Sequence, residues 1–163
     1  MWFKASVTKP GYLILDLDGV LTDGKFLYSK SGKSYKAFSV DDHDGIKLVQ
    51  NFLDVHIISA DSRGFEISKR RVVKDMNLSL TLVSIEDRLD WIKRNFGLDN
   101  TIYMGDGIFD KAIFQEVYYA MAPSSALKEV RRAADFVTTS KGGERSVAEA
   151  CLHIAKKFFG LKL

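Results

Sequence analysis

The chain has 163 residues, 46% of them hydrophobic and 28% charged, with a formal net charge of +3; this is enough for one globular domain over residues 1–163 and too little positive charge to predict a nucleic-acid partner. The one cysteine, Cys151, excludes an intrachain disulfide, and no apolar run reaches the roughly 18 residues of a membrane span. With no apolar leader core in MWFKASVTKPG at the N-terminus, the expected location is the cytoplasm and no membrane partner is expected.

In chain order, short apolar runs alternate with helical patterns. YLILDL (12–17) is apolar on both faces up to Asp16, the pattern of a strand buried on both sides of a parallel sheet. KFLYSKSGKSYKAFSV (25–40) carries two partly alternating segments around Lys30-Ser31-Gly32-Lys33 and predicts a β-hairpin. DGIKLVQNFL (44–53) predicts a helix capped by Asp42 or Asp44. VHIIS (55–59) predicts a second buried strand, residues 64–76 a basic helix whose KRR run is a solvated face, and LTLVS (80–84) a short strand. EDRLDWIKRNF (86–96) is amphipathic and ends at Gly97. A strand follows over 101–105, a helix over 108–117, a strand over 118–122, a helix over 125–134 and a strand over 135–139. The closing helix, 146–159, holds Cys151 as a small core residue. Strand–helix alternation throughout predicts a three-layer α/β/α, Rossmann-like sandwich around a parallel sheet.

Sheets of this kind bind ligands beyond the carboxyl ends of their strands. Asp16 and Asp18 follow the first strand, Ser59 and Asp61 the second, Asp106 and Asp110 the strand TIYMG. Acids converging from several strand ends repel one another unless a cation balances them, and oxygen ligands of this type suit Mg²⁺. Residues two apart on a strand point to one side, so Asp16 and Asp18 reach nearly one spot as the chain turns at Gly19. Such a pair can divide labour: one carboxylate attacks and forms an acyl-phosphate, while the other protonates the leaving oxygen and later takes a proton from water. The plainer reading makes both acids loop caps.

DLDGVLTDG (16–24) resembles motif one of the haloacid-dehalogenase superfamily in its phosphatase form, DxDGxxTDG. IIS ending at Ser59 is similar to motif two, and GDGIFD (105–110) to motif four, GDxxxD. GKSYKAFSVDDHDGIKLV (32–49) and ADFVTTSKGGERSVAEAC (134–151) narrow the resemblance to phosphatases of 3-deoxy-octulosonate 8-phosphate and their relatives acting on nonulosonate 9-phosphates. The resemblance spans roughly residues 12 to 155. It implies a phosphoric monoester hydrolase of a small sugar-acid phosphate, with Asp16 as nucleophile and metal ligand. It makes Asp18 the general acid/base and, through its backbone carbonyl, a second metal ligand. Asp106 becomes the third protein ligand to Mg²⁺, Ser59 the holder of a phosphoryl oxygen, and Asp110 an acid that completes or orients the metal shell.

The chain departs from the family pattern at three places, involving four residues. Its third motif is a lysine; in IEDRLDWIK the basic residue at that place is Arg88, and Lys93 lies five residues further along the helix. Arg88 keeps the charge and can fork onto phosphate, but it is bulkier than lysine; the alternative is a surface residue paired with Glu86 or Asp87. After Ser59, where the octulosonate enzymes have Gly then Arg, stand Ala60 and Asp61, so the expectation is that Asp61 repels a substrate carboxylate. Nonulosonate relatives can carry an acid at this place. Gly107 stands where the family has a second aspartate. These departures also admit a degenerate or non-catalytic domain that serves as an interaction module. A phospho-accepting receiver domain does not fit, because its acceptor follows a later strand.

Gly24 and Ser59 are 35 positions apart, and Ser59 and Arg88 are 29 apart. Both gaps are filled by predicted elements, so neither can hold a cap domain. An open site admits water and weakens its electrostatics, so either the substrate shields itself or another subunit covers it. The hairpin aromatics Phe26, Tyr28, Tyr35 and Phe38 are more than a lone ribbon can bury. Two readings follow: a flap lying on its own domain, or the contact of a homotetramer, which the resemblance implies.

Overall fold

The central strand β1 (Tyr12–Asp16) divides the molecule into its layers. The computed structural model describes residues 9–162; the reading of the N-terminal leader falls largely on residues outside them. On β1, Leu13 and Leu15 face one helical layer and Ile14 the other, all three with no solvent exposure. That two-sided burial is what the continuous apolar run predicts. After β1 the chain continues through β2 (Leu27–Ser29), β3 (Gly32–Tyr35), α1 (Val40–Val49), β4 (Asp54–Ser59), α2 (Phe65–Lys69) and β5 (Ser79–Leu82). Then follow α3 (Arg88–Phe96), β6 (Thr101–Met104), α4 (Asp110–Phe114), β7 (Tyr119–Ala122), α5 (Lys128–Arg131), β8 (Phe136–Val137) and α6 (Ser146–Phe159).

Among the described residues one parallel sheet runs β5-β4-β1-β6-β7-β8, and β2 and β3 form a separate antiparallel hairpin. The strand order reverses at β1, between β4 and β6, so the carboxyl ends of these three strands are adjacent. Helices α1 and α6 cover the Leu13 face, which also holds the buried Cys151; Ile92 of α3 and Ile113 and Phe114 of α4 pack on the Ile14 face. The segments between Gly24 and Ser59 and between Ser59 and Arg88 hold only the hairpin, sheet strands and packed helices. No cap domain is present among the described residues, and no helix there is long and apolar enough to cross a membrane.

Several predicted elements are shorter in the structure. The helices expected over 108–117 and 125–134 contract to α4 and α5, and their ends close as three-residue turns such as Glu116 N–H to Ile113 C=O. The basic helix over 64–76 is α2 followed by a wider π-helical stretch, Arg70–Asp75, in which Met76 N–H reaches back to Arg71 C=O.

Helix α1 corrects the capping assignment. It begins at Val40 with Ser39 in the cap position, so neither Asp42 nor Asp44 caps it. Asp42 is buried and crosses to α6, where its Oδ1 accepts from Ala148 N–H at 2.9 Å, while its Oδ2 has no partner. Burial pushes its pKa up to about 6 against the favourable hydrogen bonds. A folded pKa above the unfolded one gives stability that is complete below about pH 4 and lost as the pH rises through 6. Asp42→Asn keeps the Oδ1 acceptor and removes the titration. Its urea midpoint relative to wild type is therefore expected to rise between pH 4 and 7, and a constant difference across that range would refute the assignment.

Candidate active site

The chain leaves β1 through a tight turn. Asp18 is extended (φ −82°, ψ 113°) and Gly19 has φ 93°, a conformation that favours glycine. A Cβ on Gly19 would lie 2.0 Å from Asp106 Oδ2, so a side chain here would displace the acid. Thr22 closes the turn: its Oγ1 accepts from Gly19 N–H (3.2 Å) and Gly24 N–H (3.3 Å). The double-glycine loop seals the turn from outside, since a Cβ on Gly142 would meet Gly19 O at 1.8 Å and Gly143 N–H donates to Val20 C=O. Each of these sequence features thus holds Asp16 and Asp18 in place.

Asp16, Asp106 and Asp110 each present an oxygen within 4.8 Å of the other two. Asp16 is buried; its Oδ1 accepts from Leu17 N–H (2.8 Å) and its Oδ2 from Arg88 Nη1 (2.9 Å). Burial pushes the Asp16 pKa up to about 8, with Asp110 and Asp106 adding to the rise and Arg88 opposing it. Asp106 rises to about 7, from burial and then the Asp110 charge. Carboxyls this unwilling to ionise together form an all-oxygen donor set that fits a hard divalent cation. Asp110 is occupied on both oxygens: Oδ1 accepts from Arg88 Nη1 (3.0 Å) and Tyr103 OH (2.7 Å), and Oδ2 from Gly107 N–H (2.9 Å).

Arg88 opens α3 and is 5% exposed. The structure therefore places it against Asp16 rather than on the surface beside Glu86 or Asp87. It does not fork: Nη1 alone reaches Asp16, Asp110 and Tyr103 OH, and Nε has no partner. Burial lowers its pKa, but the surrounding acidic groups outweigh burial and raise it, so the cation is firm. One guanidinium nitrogen thus lies 2.9–3.1 Å from three oxygens, a point-like contact at the place where a lysine was expected.

On the other side of the turn, Ser59 Oγ donates to Asp18 Oδ2 (2.8 Å) and accepts from Asp61 N–H (3.1 Å). Asp61 is not the uncompensated acid expected from the sequence. Lys33 bonds its Oδ1, and Lys36 Nζ lies 3.0 Å from its Oδ2. Burial raises its pKa, but the hydrogen bonds from the two lysines prevail and hold it below the usual range. Lys36, almost wholly buried, also lies 2.8 Å from Asp18 Oδ1 and donates to Ser68 Oγ at 2.8 Å. Both lysines come from the hairpin, which therefore lies over its own domain. Of the four hairpin aromatics, Phe26 lines the site and Phe38 packs on the core, while Tyr28 and Tyr35 remain more than 60% exposed. A cavity of about 440 Å³ joins these groups, lined by Asp16, Asp18, Arg88 and Asp106 at its acidic end and by Phe26, Lys33, Ile85 and Phe109 elsewhere.

Sequence reading missed Lys33, Lys36 and Tyr103. The two lysines were visible only as alternating hairpin residues, and Tyr103 as one more residue of a buried strand.

The comparisons agree with this geometry. No family model matches the chain. It is 31% identical over 151 residues to the 3-deoxy-D-manno-octulosonate 8-phosphate phosphatase KdsC of Escherichia coli strain K12, covering 85% of this chain and 76% of that protein. The Haemophilus influenzae KdsC is 29% identical over 143 residues, covering 85% and 78%. Among solved structures, the cobalt-bound deoxy-D-mannose-octulosonate 8-phosphate phosphatase of Haemophilus influenzae superposes with TM-score 0.79 at 27% identity, over 92% of this chain and 90% of that one. The Moraxella catarrhalis 3-deoxy-D-manno-octulosonate 8-phosphate phosphatase, in complex with magnesium, phosphate and KDO, superposes with TM-score 0.77 at 25% identity, over 90% and 86%.

Proposed function

Because the chain belongs to the 3-deoxy-D-manno-octulosonate 8-phosphate phosphatase family of haloacid-dehalogenase-type hydrolases, we propose that it is a Mg²⁺-dependent phosphatase of a sugar-acid phosphate, of the octulosonate 8-phosphate or nonulosonate 9-phosphate type, working through an aspartyl-phosphate. The observation that carries this reading is the buried contact of Arg88 with Asp16, beside a second acid, Asp18, held by Ser59 and Lys36.

Asp16 attacks phosphorus while the bond to the sugar oxygen breaks, and Asp18 gives that oxygen a proton. Asp18 then takes a proton from water as the water attacks phosphorus; the Asp16–phosphorus bond breaks and inorganic phosphate leaves. Arg88 holds the nucleophile and opposes the negative charge that gathers on the phosphoryl group. Ser59, which donates to Asp18 here, turns its hydroxyl to a phosphoryl oxygen. Asp16, Asp106 and the Asp18 carbonyl would hold Mg²⁺, which would supply charge neutralisation at the phosphoryl oxygens. Asp110, whose oxygens accept from Arg88, Tyr103 and Gly107, orients Arg88 and would complete or orient the metal shell.

Purified protein is expected to release phosphate from 3-deoxy-octulosonate 8-phosphate with Mg²⁺, to stop in EDTA and to recover when Mg²⁺ is returned; turnover in EDTA would remove the mechanism. Protons and metal compete for Asp16 and Asp106, whose pKa values lie at about 8 and 7. Mg²⁺ affinity is therefore expected to climb between about pH 6 and 8 and then level off, with protons released on binding, measured by calorimetry in buffers of differing ionisation enthalpy.

Oligomeric state belongs to the same proposal. Leu27, Tyr28 and Tyr35 stay exposed on the outer side of the hairpin, an apolar face that a second copy would cover. A homotetramer is expected in light scattering, and a monomer at micromolar concentration would refute it.

A further inference from the structure

Lys33 lines the active-site cavity with a side chain only 10% exposed. Its ammonium bonds Asp61 Oδ1 and sits 3.6 Å above the centre of the Phe26 ring. Lys36, the neighbouring cation, is already enclosed: it donates to Ser68 Oγ at 2.8 Å, its Nζ lies 2.8 Å from Asp18 Oδ1 and 3.0 Å from Asp61 Oδ2, and it does not line the cavity. Among the described residues Lys33 has a single oxygen partner for its three N–H groups. Asp61 Oδ1 also accepts from Gly64 N–H at 3.1 Å, and Lys36 Nζ lies 3.0 Å from its Oδ2, so the carboxylate is not Lys33's alone. The ammonium is thus fixed in place, largely desolvated, and short of acceptors on the side where the substrate enters. A hydroxyl would satisfy an N–H there, but only an anion also answers the charge.

We propose that Lys33 is a specificity-determining residue that receives the carboxylate of the sugar-acid leaving group, with Asp61 its positioning residue. The assignment rests on the phosphatase reading and deepens it. It also resolves the oddity of Asp61: an acid at a place expected to favour a carboxylate substrate brings that cation in from the hairpin. Phe26 fixes the ammonium from one face through its ring electrons and bars water from it.

The test compares kcat/KM for 3-deoxy-octulosonate 8-phosphate with that for sedoheptulose 7-phosphate, a sugar phosphate of similar length without a carboxylate, in wild type, Lys33→Met and Lys33→Arg. Melting followed by circular dichroism checks that each variant is folded. The acid-to-neutral ratio is expected to fall about 10- to 100-fold in Lys33→Met, the loss of one charge-assisted hydrogen bond, and to stay within a few-fold in Lys33→Arg. A strut that merely holds the hairpin would lower both substrates together, so an unmoved ratio overturns the assignment. Wild-type protein that hydrolyses p-nitrophenyl phosphate without preferring the acid also overturns it and leaves the phosphatase reading standing. Wild-type protein that hydrolyses none of the three overturns both.

Discussion

Asp16→Asn is expected to lower phosphate release by about 10⁴- to 10⁶-fold, the range for removing a member of a covalent catalytic unit. An amide cannot attack phosphorus. Asp106 and Asp110 share the cluster, but Asp110 is held by Arg88, Tyr103 and Gly107. The fold is expected to persist, because Asn keeps the acceptor for Leu17 N–H and removes a buried carboxyl whose pKa stands at about 8. Asp18→Asn separates the two roles. Loss of the general acid/base slows turnover by about 10²- to 10⁴-fold and leaves Asp16 able to become phosphorylated, which intact-protein mass spectrometry detects under substrate. Retained phosphate release by Asp16→Asn would remove Asp16 as the nucleophile.

Arg88→Ala is expected to cost about 2–4 kcal/mol of transition-state stabilisation, as for one preorganised donor. It is also expected to lower stability, because it leaves Asp16 and Asp110 buried without their shared counter-charge. Breaking a buried pair in this way costs about 3–5 kcal/mol, less whatever protonation of the two acids returns. Arg88→Lys separates charge from shape. The native hydrogen bonds all run through Nη1, so an ammonium reaching nearly the same point is expected to retain most activity. Kinetics in Mg²⁺ and urea midpoints measure the two effects. An Arg88→Ala enzyme with unchanged kcat/KM would return Arg88 to a structural role.

Local pattern carried most of the fold. The run YLILDL can be buried on both faces only inside a parallel sheet, and strand–helix alternation leaves few ways to wind that sheet. Once β1, β4 and β6 are neighbours, their carboxyl ends converge whatever the side chains, so Asp16, Asp18, Ser59, Asp106 and Asp110 were legible from their positions after strands. Arg88 was legible as the basic residue at the start of the next helix, though not that a single nitrogen serves all its partners. That detail depends on Tyr103 and Asp110, which approach from β6 and α4.

Tertiary structure alone decided the charge around Asp61. A two-stranded ribbon has no periodic signal for the surface on which it lies, because its hydrogen bonds are satisfied within itself. Where it docks is settled by long-range contacts: Lys33 meets Asp61 across 28 positions, and Lys36 meets Ser68 across 32. Read in one dimension, Asp61 is an acid in a substrate site; in three dimensions it is the anchor of two lysines. Asp42 teaches the same lesson in the core, since its partner Ala148 lies 106 positions away on α6. Short-range periodicity determines which elements form and where strand ends gather. The partner of a buried charge is chosen by whatever segment folds back over it, and that choice exists only once the chain has closed.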